Sequence, residues 1–506
     1  MPPIPVDAVV ETAAVLSNTP TKKTFLGHPR GLATLFMTEM WERFSFYGMR
    51  ALLVLYMAAP AAKGGLHLNL GTALAIYSVY NALVYLLALP GGWVSDRFWG
   101  PRRTVLIGGL IIMCGHFLLA VPAAGSFFAG LGFIAVGSGL LKANISTMVG
   151  HLYPDRNDPR RDGGFTLFYM GINLGAFFAP LVIGTVGQDV NWHLGFALAG
   201  VGMALGLGQY VLGSRHLSSE SDVVGSPISA PERASILRKT ALWAGFAALC
   251  YGVLVATGNY STGWLVWPLT VVGIIVPVLV LVRMKKDRDV SPEDQRKLSG
   301  YLWFFAAAAV FWMIYDQSGS TLSVFASDST ANSLFGLNFP STWFQSLNPL
   351  FIMALAPVLA WLWVWLARRD RNPSTAVKFV GGLVLIGASF GVMMLAMAAA
   401  GGGTKVTPLW LVLVYLVQTV GELCLSPVGL SVTTKLAPQK YASQMMGVWF
   451  LAVTVGDSVA AVLQQLLGNA FLSTASFAVQ GAAALFAGFA VLMYRRRIRE
   501  LLGDVH

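Results

Sequence analysis

Long apolar runs alternate with short polar segments along most of the chain. Crossing the hydrocarbon layer of a bilayer takes roughly 20 apolar residues per helix. Because lipid offers no partners to open backbone N–H and C=O groups, only helices or closed barrels can span it. The runs have the length of helices, so the pattern predicts an all-α membrane protein.

The apolar runs form two sets of six, with two more runs between the sets. The first set lies at 31–59, 70–91, 103–121, 124–147, 164–187 and 193–213. The second set lies at 298–324, 342–367, 374–399, 406–435, 441–468 and 474–495. The two runs between them lie at 237–257 and 264–283. The sequence therefore predicts two six-helix bundles plus two additional helices, or about fourteen transmembrane helices.

The same plan divides the chain into five segments. They are a tail at 1–30, a first bundle at 31–213, a linker with the two extra helices at 214–297, a second bundle at 298–495 and a tail at 496–506. The start of the chain lacks the basic residues of a cleaved signal peptide, so we interpret it as a loose tail.

Basic residues concentrate in the loops of one side, which is typical of cytoplasmic loops. The clusters are Lys22/Lys23/Arg30, Arg97/Arg102/Arg103, Arg156/Arg160/Arg161, Arg368/Arg369/Arg371 and Arg495/Arg496/Arg497. The opposite loops hold little beyond Lys63 and Lys405. Both termini are therefore predicted to be cytoplasmic. Two six-helix halves joined on that side suggest a transporter with a central cavity.

Composition agrees with a membrane protein and argues against other classes. Hydrophobic residues make up 56% of the chain, charged residues 11%, and the mean hydropathy is +0.65. The net charge of +11 is spread over loop clusters instead of one face, so nucleic acid is not an expected partner. Cys114, Cys250 and Cys424 lie inside apolar runs, and we interpret them as packing residues without metal or disulfide.

Charged residues inside the apolar runs are few, and each costs about 2.5 to 3.5 kcal/mol at the bilayer centre. The bases are Arg43, Arg50 and Lys142, and the acids are Glu39, Glu42, Asp316, Glu422 and Asp457. Acids outnumber bases, so full ionisation would leave net negative charge in a medium of low dielectric. This excess favours proton uptake by one or more acids. Proton coupling follows as a hypothesis.

Most of these charges share one face of the first helix. Glu39, Glu42, Arg43, Tyr47 and Arg50 recur at helical spacing over about 16 Å. Such a stripe must line water or pair with other helices. The alternative is an inert salt bridge that locks helices together.

Polar residues in other helices lie beside prolines, which bend a helix, or beside small residues, which let helices approach closely. Asn348 precedes Pro349, and Glu422 lies one turn before Ser426 and Pro427. Asn173 lies between small residues that allow close helix approach. Taken alone, Asn173 and Asn348 could each form only a hydrogen bond between helices.

A short basic loop follows the second helix. Asp96 and Arg97 there could latch to neighbouring helix ends and release when the halves move. The alternative is a loop that only sets topology.

Seven segments together resemble the proton-dependent oligopeptide transporters, a branch of the major facilitator superfamily. They are the ExxER motif at Glu39, Glu42 and Arg43 with its continuation FSFYGMR, and then GGWVSDRFWG, GSGLLKANIS, FYMGINLG, FWMIYDQSGS, QSLNPLFI and GELCLSPVGLS. The similarity covers nearly the whole chain. Bacterial members also resemble it in carrying two extra helices between the halves.

The resemblance implies import of di- and tripeptides with protons, by rocking of two bundles in a bacterial inner membrane. Arg50 and Lys142 would hold the peptide carboxylate, and Glu422 with Asn173 and Asn348 the amino group. The remaining substrate-site candidates are Tyr47, Tyr85, Trp312, Trp449 and Ser426. The proton-coupling candidates are Glu39, Glu42, Arg43 and Asp316, with Arg50 and Asp316 forming a bridge that opens. The gating candidates are Asp96, Arg97, Pro349 and Pro427.

The resemblance also implies which partners the chain has. Those expected are peptides, protons and membrane lipid, with no cofactor and a functional monomer. Asp316 is shorter than the glutamate of some members, which alters its reach toward Arg50. Asp457 belongs to no motif of the family, and we expect it to pair with a nearby hydroxyl.

Two rival functions remain open. One is a carrier of nitrate, a drug or an amino-acid conjugate on the same fold, since fold does not fix substrate. The other is an intramembrane enzyme, suggested by the GxSxG string at 387–391. That string lies in an apolar helix and not at a strand-to-helix turn, so we predict that the chain is not an enzyme. His116 is predicted to be a hydrogen-bonded packing residue, and the extra helices to have a structural or lipid-contact role.

Overall fold

The computed structural model describes residues 24–153, 155, 158–259, 261–441 and 444–503. Predictions on Lys22, Lys23 and Arg156, and on most of the first tail, lie outside the described residues. The second tail is described as far as residue 503, where it forms a short helix, Arg495–Leu502. Ile498 and Leu502 of this helix are buried, and Leu502 lies against Gly300.

Six long helices build the first bundle. They are α1 Gly31–Ala58, α2 Leu70–Leu86, α3 Gly100–Leu119, α4 Ala124–His151, α5 Arg160–Ala179 and α6 Trp192–Gly213. A short helix, Ala88–Val94, and a π-helical turn, Ser95–Trp99, extend α2. Two π-helical segments, Pro180–Gly184 and Val186–Val190, extend α5. Proline lacks the N–H that would continue the α-helical ladder, so α5 changes its winding at Pro180.

Eight further long helices follow. They are α7 Ala230–Ala256, α8 Gly263–Lys286, α9 Pro292–Tyr315, α10 Leu347–Ala367, α11 Thr375–Ala399, α12 Leu409–Lys435, α13 Met445–Leu467 and α14 Thr474–Met493. Short helices Asp316–Gly319 and Thr321–Asp328 extend α9, and Ser341–Ser346 precedes α10. A two-residue hairpin pairs β1 Ser333–Leu334 with β2 Leu337–Asn338.

The predicted order of helices is confirmed. Within the described residues, twelve segments are long and apolar enough to cross a membrane, and one of them, Leu70–Leu119, contains both α2 and α3. Helix α1 adds a further span that its charged stripe makes too polar to be recognised by hydropathy. The described part of the chain therefore has fourteen spanning helices in the 6+2+6 order.

The two bundles meet along two seams. Helix α2 packs against α13, and α5 packs against α10. We call the face where α1 begins and α2 ends the terminal face, and the face that carries the β1–β2 hairpin the hairpin face. At the hairpin face the indole N–H of Trp343 donates to Thr185 at 2.8 Å, and the Gln188 amide donates to Ser341 at 2.8 Å. The bundles are closed against each other there.

The two extra helices lie outside the bundles. Helix α8 packs against both α13 and α2 and thus covers one seam, with Gly273 against Ser458. Along α7 no described residue is buried, which is the exposure expected of a lipid-contact helix.

The linker segments are tied to the bundles at the terminal face. Arg102 forms an ion pair with Asp222 at 2.9 Å. Lys440 contacts Asp287 and Asp289, each at 2.7 Å. The hydrogen bond from Lys440 holds the pKa of the Asp287 carboxyl well below its usual range.

Candidate functional site

The polar stripe on α1 contains a charge cluster that is paired within its own helix. The Nε atom of Arg43 lies 2.8 Å from Glu39 and 2.9 Å from Glu42. All three side chains are buried. Two carboxylates on one guanidinium leave net negative charge inside the bundle when both are ionised, so this cluster is suited to bind a proton.

Arg50, two turns further along α1, pairs across the bundles. Its Nη2 lies 3.2 Å from the Asp316 carboxylate at the end of α9, and its Nε donates to the Tyr77 hydroxyl. The guanidinium also lies 5.6 Å from the ring centres of Tyr47 and Tyr77. One Asp316 oxygen, Oδ2, is buried without a hydrogen-bond partner. The pair is therefore incompletely satisfied, and a charged or protonated group could compete for either member.

Lys142 on α4 is held by aromatic rings. Its ammonium lies 4.3 Å from the ring centre of Tyr85 and 4.8 Å from that of Phe46. Tyr85 stacks on Phe450 of α13 at 5.9 Å, which places the lysine beside the seam between bundles. A cation kept in place by ring faces retains its hydrogen-bond donors for an anionic group.

Glu422 on α12 is the acid of the second bundle at this interface. Its Oε2 accepts from the Tyr315 hydroxyl at 2.5 Å and from the Asn348 amide at 3.1 Å. Asn348 also donates to Thr419 at 3.1 Å. These neutral donors orient the carboxylate without neutralising it, so it can accept a cationic group.

Four other substrate-site candidates form no hydrogen bond to Arg50, Lys142 or Glu422 among the described residues. The Asn173 amide donates to the Tyr169 carbonyl of its own helix at 3.0 Å. The Ser426 hydroxyl and the Trp312 indole N–H are buried without hydrogen-bond partners. Trp449 is buried in the core of the second bundle, beside Phe379.

The gating candidates occupy different environments. Pro349 lies in the first turn of α10, where a missing N–H costs nothing, and Pro427 lies inside a continuous α12. Among the described residues, no hydrogen bond or ion pair joins Asp96 or Arg97 to a neighbouring helix end, which differs from the expected latch. Instead, the Asp96 carbonyl accepts from the Ser226 N–H, and Arg97 donates to the Ser226 carbonyl. Their partner is the linker between the bundles.

Three predictions on packing are corrected or refined. His116 is fully buried, and neither of its ring nitrogens has a hydrogen-bond partner among the described residues, so the expected hydrogen bond is not formed. Cys424 is buried, whereas Cys114 and Cys250 lie on exposed helix surface and do not pack inside a bundle. Ser389 of the GxSxG string lies inside α11 and donates to the Ile386 carbonyl.

Asp457 has an amide partner and not the expected hydroxyl. Its Oδ2 accepts from the Asn81 amide of α2 at 2.7 Å. Further along the same seam, Ser78 donates to Gln464 at 2.8 Å. Sequence reasoning missed Asn81, Ser78 and Gln464, and it also missed Gln188 at the hairpin face. Asn81 and Gln464 do interrupt otherwise apolar stretches. A single neutral residue in such a stretch does not indicate which residue it contacts, so these positions were not predicted to form contacts.

Two six-helix bundles that place cations of one half and acids of the other at a common seam define a secondary transporter. Such a site is suited to a polar solute that carries both charges.

Comparison with known proteins identifies the family to which the chain belongs. The family model PTR2, described as the POT family, matches residues 102–480, and the chain belongs to this family. It is 43% identical to a di-/tripeptide transporter of Lactococcus lactis subsp. cremoris, over 96% of this chain and 99% of that protein.

Solved structures agree on the fold. A peptide transporter POT in complex with sulfate is 43% identical, with a TM-score of 0.90 over 97% of this chain and 99% of that one. A POT family transporter in complex with 5-aminolevulinic acid is 36% identical, with a TM-score of 0.89 over 94% of this chain and 98% of that one. The chain therefore has the major facilitator fold with two additional helices.

Proposed function

We propose that the chain is a proton-coupled symporter that imports di- and tripeptides by alternating access. The observation that carries this proposal is the division of charge at the seam. Arg50 and Lys142 come from the first bundle, and Glu422 comes from the second. A zwitterion with a carboxylate at one end and an ammonium at the other matches this arrangement. Relatives named as peptide transporters support the same solute class.

Roles follow from the contacts of each group. Arg50 and Lys142 bind the peptide carboxylate, because both are cations with donors to spare. Glu422 binds the peptide amino group. Asn348 assists, because its amide already donates to the Glu422 carboxylate. The stacked and edge-on rings of Tyr47, Tyr85 and Trp312 offer faces to varied side chains, so broad specificity follows.

Coupling arises at the Arg50–Asp316 pair. A proton on Asp316 removes the charge that holds Arg50, and the peptide carboxylate then takes its place on the guanidinium. The peptide carboxylate thus replaces Asp316 on Arg50 while the peptide ammonium pairs with Glu422, so the site gains only the single positive charge of the proton. The Glu39–Glu42–Arg43 cluster supplies a further proton site on the same helix.

Orientation follows from the loop charges. We place the terminal face, with its basic loops, in the cytoplasm of a bacterium, with the chain in the inner membrane. The closed hairpin face then faces outward, so the structure corresponds to a state that is closed to the outside. The chain acts as a monomer, needs no cofactor beyond the coupling proton and performs no covalent chemistry.

Transport by purified protein tests the proposal. Proteoliposomes with an acidic exterior should concentrate labelled dialanine, and an excess of varied dipeptides should displace it while nitrate and free amino acids do not. Inhibition by nitrate instead would favour the carrier of another small solute. Hydrolysis of the peptide without accumulation would contradict a carrier altogether.

A further inference from the structure

Asp457 is a buried carboxylate that the transport cycle above leaves without a role. It lies on α13 with 1% of its surface exposed. Its hydrogen bond to Asn81 crosses from one bundle to the other. Among the described residues, no lysine or arginine nitrogen lies within ion-pair distance of its oxygens. A buried ionised carboxylate with only an amide donor is strongly destabilised.

The neighbouring charged groups come from three elements. Asp316 approaches from the end of α9 and Arg50 from α1. The Tyr77 hydroxyl of α2 donates to the Asp316 carbonyl and accepts from the Arg50 guanidinium. On the outer side of the seam α8 presents Gly273, which lies against Ser458. The only formal positive charge in this group of side chains is Arg50, and it already pairs with Asp316.

Asn81 holds one of two acids that lie near each other. Its amide donates to Asp457, and the Asp316 carboxylate lies close enough to disfavour a charge on Asp457. If both acids were ionised, the charge on Asp457 would lie next to an Arg50–Asp316 pair that is already neutral. Two carboxylates that share one site do not both ionise, because the second charge meets the first at short range.

We infer that Asp457 carries a proton while the hairpin face is closed, and that it is a second proton site of the gate beside Asp316. The inference rests on the proposed function. In the closed state a neutral Asp457 accepts from the Asn81 amide and adds no charge to the dry seam. When the carboxyl gives its proton to water at the terminal face, the remaining charge favours opening of the seam and hydration from the hairpin face.

The seam itself shows why a charge at this position would act on the gate. Ser78–Gln464 and Thr454–Ala82 are neutral hydrogen bonds along the same two helices. These bonds carry no charge, so they are compatible with a dry interface whether Asp457 is protonated or ionised. Asp457 is the one acid among the residues that form these α2–α13 hydrogen bonds, so its ionisation changes the relative stability of the closed and open seam.

Two measurements on Asp457→Asn test the inference, with Ser78→Ala as the matched control. Ser78→Ala removes a neutral hydrogen bond from the same seam. Infrared difference spectra of the full chain in lipid, recorded on a pH jump, should contain the carbonyl band of a protonated carboxyl. The band should be reduced in Asp457→Asn and unchanged in Ser78→Ala.

The second measurement is the ratio of proton-driven accumulation to gradient-free exchange of labelled dialanine. We expect about a tenfold fall in this ratio for Asp457→Asn and little change for Ser78→Ala. An unaltered infrared band together with a wild-type ratio in Asp457→Asn would overturn the inference. Failure of the peptide proposal looks different, because the wild-type chain itself would then neither exchange nor accumulate dialanine.

Discussion

Two arginines on the same helix are paired in opposite ways. Arg43 is neutralised by Glu39 and Glu42, which lie on its own helix and move with it. Arg50, about 10 Å further along α1, is neutralised by Asp316 of the other bundle. The first pairing survives any rigid movement of the bundles, whereas the second must break when they separate.

The comparison separates two tasks that a coupled carrier must perform. A cluster within one bundle can change its protonation without changing the distance between bundles. A pair across the seam changes its contacts each time the hairpin face opens. On the proposed mechanism, the first group is a site of proton uptake, and the second links protonation of Asp316 to the gate.

The largest expected effect comes from breaking the pair across the seam. Arg50→Leu leaves Asp316 buried without a cation, and loss of one member of a buried pair costs about 3 to 5 kcal/mol. The hairpin face should open and peptide uptake should cease. Spin labels on Lys63→Cys and Leu337→Cys, two exposed positions on opposite bundles, would report a longer distance in a background without the native cysteines.

The matched control for this experiment is the double variant Arg50→Leu with Asp316→Leu. It removes both charges, so closure should recover while uptake stays lost. If Arg50→Leu alone keeps the short distance, the pair does not hold the hairpin face closed, and the contrast with Arg43 disappears.

A smaller effect on the gate is expected from the pair within α1. Glu42→Gln and Glu39→Gln each leave Arg43 with one acid, so the distance between the spin labels should remain that of the wild type. Uphill uptake driven by external acid should be abolished, while some exchange of labelled dialanine persists. Normal accumulation in both variants would mean that the cluster is only structural.

Much of the fold could be predicted because lipid restricts what a chain can do. Unsatisfied backbone groups are not tolerated there, so a run of apolar residues at 409–435 has little choice but to form a helix. The charged stripe was also visible, because Glu39 and Arg43 are one turn apart in any helix. These signals are local in sequence.

The contacts between bundles could not be derived in that way. Asn81 and Asp457 are separated by 376 positions, and nothing near either residue specifies the other. The contact between Arg50 and Asp316 was expected only through the family resemblance, and its role in gating stays a prediction. Gln188 and Trp343 lie where irregular segments meet. Gln188 pairs with Ser341 and Thr342, and Trp343 pairs with Thr185, so both contacts depend on how the bundles pack.

The smallest effect is expected from the neutral latch at the hairpin face. Gln188 donates to the Ser341 hydroxyl and accepts from the Thr342 N–H at 3.1 Å, so Gln188→Ala loses two hydrogen bonds between bundles. Each neutral bond contributes about 1 kcal/mol, and water can replace it once the face opens. The spin-label distances should therefore show a modest population of the open state. Because no titratable group changes, the shift in this population relative to the wild type should not depend on pH, even though the seam with Asp316 and Asp457 titrates in both proteins. A strong pH dependence confined to Gln188→Ala would show that the neutral latch and the charged seam are not separate devices.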